Sequence, residues 1–144
     1  MSNLNHYLEN AATYFMRGKA EIELALDSDL PDVDDVVAQD VTEGIGQLLG
    51  EIESHGRPTK VRFKTSHDPT QINIELAWNG GALDERSLQR TNAAYAEGMA
   101  SEIQTFQGGS FTAGHYIGKH GGKLVIENFN DPIYSVRNTI LLLK

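Results

Sequence analysis

Residues Ile72–Leu83 read INIELAWNGGAL. Ile72, Ile74, Leu76 and Trp78 alternate with Asn73, Glu75 and Ala77, a period of two that predicts a strand with one buried face. The strand runs into Asn79-Gly80-Gly81, a turn that glycine makes cheap because it accepts positive φ. A helical pattern opens at Asp84. Strand, glycine turn and helix together form a common frame for a ligand pocket, since backbone N–H groups at such a turn can face a bound group.

Outward from this stretch the chain keeps alternating elements. Leu4, Tyr7, Leu8, Ala11 and Phe15 have helical spacing, and Gly18 suits a stop. Glu21–Leu26 alternates with Ile22, Leu24 and Leu26 on one face. Asp27–Asp32 with Pro31 is a loop, and Asp34 or Asp35 is placed to cap a helix with the stripe Val37, Val41, Ile45, Leu48 and Ile52. Gly44, Gly46 and Gly50 interrupt that helix, which points to close packing. Lys60–Thr65 and Gln71–Trp78 predict a hairpin around Ser66–Thr70. Asp84–Phe106 is a long polar segment with Leu88, Tyr95, Met99, Ile103 and Phe106 near one-face spacing. Phe111–Lys119 predicts a short helix, with Gly114 and Gly118 set for close helix–sheet packing. Lys123–Glu127 and Tyr134–Leu143 close the chain as strands. The order predicts a single domain over 1–144: a two-layer α/β (α+β) sandwich, its mixed, mostly antiparallel sheet carrying helices on one face. Trp78 is expected to be buried near Ile45, Leu48 or Leu49.

Composition narrows the function classes. The absence of Cys removes disulfides, thiolate metal sites and thiol catalysis. No apolar run approaches the roughly 18 residues of a membrane span, and no signal-peptide layout opens the chain, so a cytoplasmic location is expected. The net charge of −8 argues against nucleic acid or an anionic membrane as partner, because phosphate binding needs clustered Lys or Arg. His6, His55, His67, His115 and His120 show no metal-ligand spacing. His67 reads as an exposed turn residue, while His115 and His120 read as a helix face and its C-terminal end. Ser110 and Thr112 lack the partners of a hydrolase triad. The acidic cluster Asp27, Asp29, Asp32, Asp34 and Asp35 lacks calcium-loop spacing. Arg90 and Lys119 are the basic groups expected near the pocket mouth. No catalytic residue and no metal ligand emerges.

The order of elements and several phrases resemble the ATP-binding catalytic domain of sensor histidine kinases, in the GHKL ATPase superfamily with its Bergerat fold. IELALDSDLPDV (22–33) is similar to the strand and loop before the family's first nucleotide-binding helix, WNGGAL (78–83) to its first glycine box, and HGGKLVI (120–126) to its HGG turn and following strand. The resemblance places Gln47 and Glu51 in the asparagine box, with Glu51 where the family's Mg²⁺-holding Asn stands. It places Trp78 where an Asp accepts the adenine amino group, with Asn79, Gly80 and Ala82 completing the box and Ala82 replacing its second glycine. Gln107, Gly108 and Gly109 stand in the second glycine box, and residues 84–109 match the lid over the nucleotide. Indole offers one donor and no acceptor, so the adenine contact is lost.

The resemblance with these departures implies a degenerate domain without ATP turnover and without a cofactor, a pseudokinase-type module of two-component signalling that works by binding protein. The alternative it leaves open is a divergent but active ATP-binding catalytic domain using ATP and Mg²⁺; a small-molecule sensor built on the altered pocket is a third reading. Tyr95 and Met99 are the residues expected to meet a protein partner, most simply a second copy in a homodimer.

Overall fold

The structure, a computed structural model, describes residues 1–15, 20–55, 57–102 and 109–144. Its elements are α1 (Leu4–Phe15), β1 (Glu21–Ala25), α2 (Asp35–His55), β2 (Lys60–His67), β3 (Gln71–Trp78), α3 (Glu85–Ala100), α4 (Gly109–Gly118), β4 (Lys123–Asn128) and β5 (Val136–Leu143). The strands form one five-stranded sheet in the order β1-β2-β3-β5-β4. β1 and β2 are parallel, as a crossover through α2 requires, and every other pair is antiparallel. This is the mixed, mostly antiparallel sheet expected from the sequence. Gly18, Ile103, Phe106, Gln107 and Gly108 lie outside the described residues.

Register explains why the helices cover one face. Val61, Trp78 and Val136 stand in one row; Phe63, Leu76, Asn138 and Ile126 in the next; Thr65, Ile74, Ile140 and Leu124 in a third. All of them are buried. The apolar ones share one core with Leu4 and Leu8 of α1, Ile117 of α4, and Val41, Ile45, Leu48, Leu49 and Ile52 of α2. Trp78 is 5% exposed and belongs to the same cluster as Ile45, Leu48 and Leu49, where its strand parity predicts it. β1 departs from its pattern. It is an edge strand ending at Ala25, and Leu24 on its inward parity remains 45% exposed.

The opposite face of the sheet carries charge. Arg137 bridges Glu75 and Glu127 at 2.9 and 2.8 Å. The loop before β5 lays Tyr134 over Arg62, and its hydroxyl donates to Glu23 at 3.0 Å. Burial, then the Glu23 contact, push the Tyr134 hydroxyl up to about 12.

The glycines of α4 have a different neighbour from the one expected. A Cβ on Gly114 would lie 2.3 Å from the Tyr95 carbonyl oxygen, and one on Gly118 would lie 2.7 Å from the Met99 Cα. Gly98 on α3 answers them, its Cβ position falling 2.1 Å from the Phe111 carbonyl oxygen. These residues bring two helix backbones into contact, so the packing is helix on helix rather than helix on sheet. Gly44 on α2 likewise faces Ile117 of α4, whereas a Cβ on Gly50 would meet nothing within 4 Å.

α3 also covers the β4 edge of the sheet. Asn92 donates to the Ile126 carbonyl and accepts from the Ile126 N–H, each at 2.9 Å. The Met99 sulfur accepts from the Leu124 N–H at 3.3 Å. An edge strand's unpaired backbone groups are thereby answered by side chains. Asp84 caps α3 by accepting from the Ser87 N–H at 2.7 Å. That backbone hydrogen bond, and then the Ser87 side chain, hold its carboxyl below the ordinary 3.8. A carboxyl depressed on folding stabilises above its unfolded pKa and stops doing so as pH falls through the folded one.

The glycines and the cap can each be tested by stability. Gly50→Ala raises unfolding free energy by about 0.5–1 kcal/mol, because it removes the backbone freedom of an exposed helical glycine. Gly114→Ala lowers it by at least about 1–3 kcal/mol through overpacking. Urea denaturation of both variants checks the pair. In the same assay the stability gap between the parent and Asp84→Ala is present at neutral pH and closes as pH falls below 3.8.

Candidate functional site

Between α2, α3, β3 and the start of α4 lies a cavity of about 570 Å³. Ile52, Trp78, Leu83, Ala94 and Ile126 form its apolar walls. Glu51, Ser87, Arg90, Thr91, Ser110 and Asn138 supply its polar groups, with Tyr95 and Gly109 completing the lining. Of the residues singled out from the sequence, the fold thus gathers Glu51, Trp78, Gly109 and Tyr95 around one space.

The others sit elsewhere. Gln47 is exposed on α2 and does not line the cavity. Asn79 ties β3 to β2: its side-chain oxygen accepts from the N–H groups of Thr59 and Lys60 at 2.9 and 3.0 Å, and its amide donates to the Thr59 hydroxyl at 2.8 Å. Gly80 and Gly81 turn at φ 121° and 98°, and Ala82 follows them exposed. Asn128 fixes that segment by pairing with both backbone groups of Leu83, at 2.9 and 2.7 Å. Lys119 is not at the mouth. With His120 it closes on the buried carboxylate of Asp40, at 3.3 and 2.6 Å. His120 therefore pairs across to α2 rather than capping its own helix. His67 is exposed as expected, at the end of β2 rather than in the turn itself, and its Nδ1 lies 2.5 Å from Asp27.

The polar floor of the cavity is one connected chain of hydrogen bonds. The Asn138 amide donates to the Tyr95 hydroxyl at 2.9 Å. That hydroxyl in turn donates to the Glu51 carboxylate. Ser110 in the first turn of α4 donates to Glu51 Oε1 at 2.8 Å. The same oxygen would lie 2.9 Å from a Cβ on Gly109, which puts the carboxylate against the first residue of α4. A helix N-terminus carries partial positive charge and unpaired N–H groups, so an anion is stabilised there. Burial, and then the Glu51 charge, push the Tyr95 hydroxyl well above its ordinary pKa, so it remains a proton donor to Glu51.

The sequence puts Tyr95 against a partner, and the structure corrects that placement. Tyr95 is 0% exposed, held by Asn138 and Glu51. Met99 is half-buried against the Leu124 N–H. The stripe of α3 is used on the domain's own core and sheet edge, as amphipathic helices commonly use theirs. Sequence reasoning misses Asn138, although a signal exists: it is the one polar residue on the inward parity Val136, Asn138, Ile140, Leu142. Among the described residues no three His, Asp or Glu come together as a metal site, and no helix is long and apolar enough to cross a membrane.

The folded chain is similar to solved histidine kinase domains. The catalytic domain of histidine kinase ThkA superposes with a TM-score of 0.73 at 15% identity, over 99% of this chain and 93% of that one. The ATP-binding domain of PrrB from Mycobacterium tuberculosis gives 0.71 at 18% identity, over 98% and 93%. The histidine kinase domain of a blue-light activated kinase from Erythrobacter litoralis gives 0.68 at 16%, over 97% of this chain and 60% of that one. No family model and no curated protein sequence matches the chain. The fold is that of histidine-kinase-like ATPase domains.

One substitution probes the network directly. Tyr95→Phe removes the hydroxyl that Asn138 donates to and leaves a buried amide unsatisfied, which costs about 1–3 kcal/mol. Denaturant unfolding of Tyr95→Phe and of the double variant Tyr95→Phe/Asn138→Leu measures it. The double variant is expected to recover part of the loss.

Proposed function

We propose that this chain is a histidine-kinase-like domain of two-component-type signalling that does not turn over ATP and acts by binding. The observation that carries this reading is Glu51. In the position where the resembled kinases hold Mg²⁺ with an Asn, this chain has a carboxylate that takes hydrogen bonds from Ser110 and Tyr95 and lies against the N-terminus of α4. The helix end best suited to a phosphate already has an anion beside it. A phosphate oxygen brought to about 4 Å of it meets repulsion of about 4 kcal/mol per unit charge at an effective dielectric constant near 20. That is roughly a thousandfold in affinity.

Trp78, which lines the same cavity, acts in the same direction. It stands buried where an adenine-reading acceptor would be required, and indole accepts no hydrogen bond. Without phosphate or base recognition, the domain's contribution to signalling is an interaction with a protein of the same system or with a second copy. The half-exposed Val125 and the exposed Leu143 on β4 and β5 are apolar groups on the outer rows of the sheet that remain open to such a contact.

A second reading, a divergent but active ATP-binding catalytic domain, draws on one observation: a cavity of about 570 Å³ persists where the nucleotide would sit. Calorimetric titration with ATP, with and without Mg²⁺, separates the two. The binding-only reading expects no saturable heat at millimolar nucleotide in either case. Micromolar affinity in the presence of Mg²⁺ establishes the second reading instead.

A further inference from the structure

The two edges of the sheet are treated differently. The β4 edge is covered by α3 through Asn92 and Met99. β1 stands at the other end of the strand order, hydrogen-bonded to β2 on one side. The Glu21 N–H donates to the Thr59 carbonyl at 2.8 Å, which fixes the alternation along the parallel ladder. Glu21, Glu23 and Ala25 turn their backbone groups toward β2, and Ile22 and Leu24 turn theirs away. Among the described residues no hydrogen bond reaches those outward groups. Every residue of β1 except Ile22 is exposed, and the strand holds none of the Lys or Pro that commonly blunts an edge. Leu24, beside the buried Phe63 on the helix-covered side, is left open.

We propose that β1 is a self-association edge, to which a second copy of this chain adds its own β1 antiparallel about a two-fold axis. The pairs made by this arrangement are what select a second copy. Opposed residues of an antiparallel ladder share a face. With the apolar side chains kept on the helix side, Leu24 comes opposite Leu24 of the other copy, and Ile22 opposite Leu26. The hydrogen-bonded pairs then fall on the outward backbone groups. On the other side of the sheet Glu23 comes opposite Ala25, whose neighbour on β2 is the exposed Lys64. An acid and a base from different copies thus flank one small residue, twice over by symmetry, which is a charge match the chain makes with itself. Sliding the pairing by two residues instead sets Glu23 against Glu23, a like-charge pair. The paired span ends where Glu21 comes opposite Asp27. Such pairing names the partner for the binding role proposed above, and in that respect rests on it.

The full chain is followed by sedimentation equilibrium and by amide nuclear magnetic resonance from micromolar to millimolar concentration. The expected result is a reversible dimer, with concentration-dependent shifts and slowed hydrogen exchange at the Ile22 and Leu24 amides. Leu24→Lys places a charge at the two-fold axis. Lys64→Glu turns the attraction to Glu23 of the other copy into repulsion. Each change acts twice across the axis, so each is expected to weaken the dimer by about tenfold. Lys64 is exposed, so Lys64→Glu supplies the answer by itself if Leu24→Lys fails to fold. A parent that stays monomeric at millimolar concentration overturns the proposal, even where a foreign protein binds this edge. So does a dimer whose shifts lie away from β1, or one that the folded variants leave unchanged. Saturable Mg²⁺–ATP binding by the same sample overturns the binding-only reading and leaves the dimer standing, whereas a monomeric parent overturns the dimer alone.

Discussion

The arrangement of this domain depends on two helix backbones touching. α3 and α4 meet where Gly98, Gly114 and Gly118 leave no room for a Cβ, which at any of the three would fall 2.1 to 2.7 Å from backbone atoms of the facing helix. Any side chain at these points would push the helices apart. Because they touch, Tyr95 sits under the cavity, Ser110 arrives beside Glu51, and Met99 reaches the edge of β4. In the resembled kinases the segment before this contact is a lid over nucleotide. Here the described part of it is fastened at three places: to Asn138 through Tyr95, to Ile126 through Asn92, and to Leu124 through Met99.

That fastening has an electrostatic counterpart. A helix N-terminus placed at a pocket attracts an anion, and this chain provides one of its own on α2. A carboxylate on the neighbouring helix satisfies the charge without a ligand, with the Ser110 hydroxyl and the Tyr95 hydroxyl supplying donors. Each member of the set is useful only with the others present. Tyr95 without Asn138 has an unanswered lone pair, and Glu51 without Ser110 loses a donor that ties it to the first turn of α4. A buried polar chain of this kind specifies one arrangement of α2, α3, α4 and β5 rather than several.

Much of the fold is legible in the sequence because it rests on periodicity. β2, β3 and β5 alternate strictly, and the inward rows found in the sheet are the residues that parity assigns. Trp78 is buried where parity puts it for the same reason. β1 is less legible, since alternation cannot show that a strand will be an edge with Leu24 left open. Helix partners are not legible at all. Gly114 and Gly118 announce a close approach, but nothing in one chain's sequence says whether the neighbour is a sheet or another helix. Tyr95 and Met99 read as a surface stripe because amphipathic spacing reveals a face and not what covers it. The polar network escapes sequence reasoning because its members come from four elements far apart in the chain, although Asn138 on an apolar parity and Asn92 on an apolar helix stripe are visible anomalies. Glu51 and Trp78 stand out only through the resemblance, by being the wrong residues in a familiar place.

The central claim is that α3, the described part of the segment that the resemblance matches to a nucleotide lid, is fastened to β4 and to Asn138 rather than standing free of the sheet. Native-state hydrogen exchange of the Leu124 and Ile126 amide protons tests it most directly, because both are held from α3 by Met99 and Asn92. The account predicts that both exchange as slowly as the amides of β3 in the sheet interior, and that millimolar Mg²⁺–ATP leaves their rates unchanged. Rapid exchange of both, of the kind an uncovered sheet edge shows, or a marked slowing on addition of Mg²⁺–ATP, would contradict it.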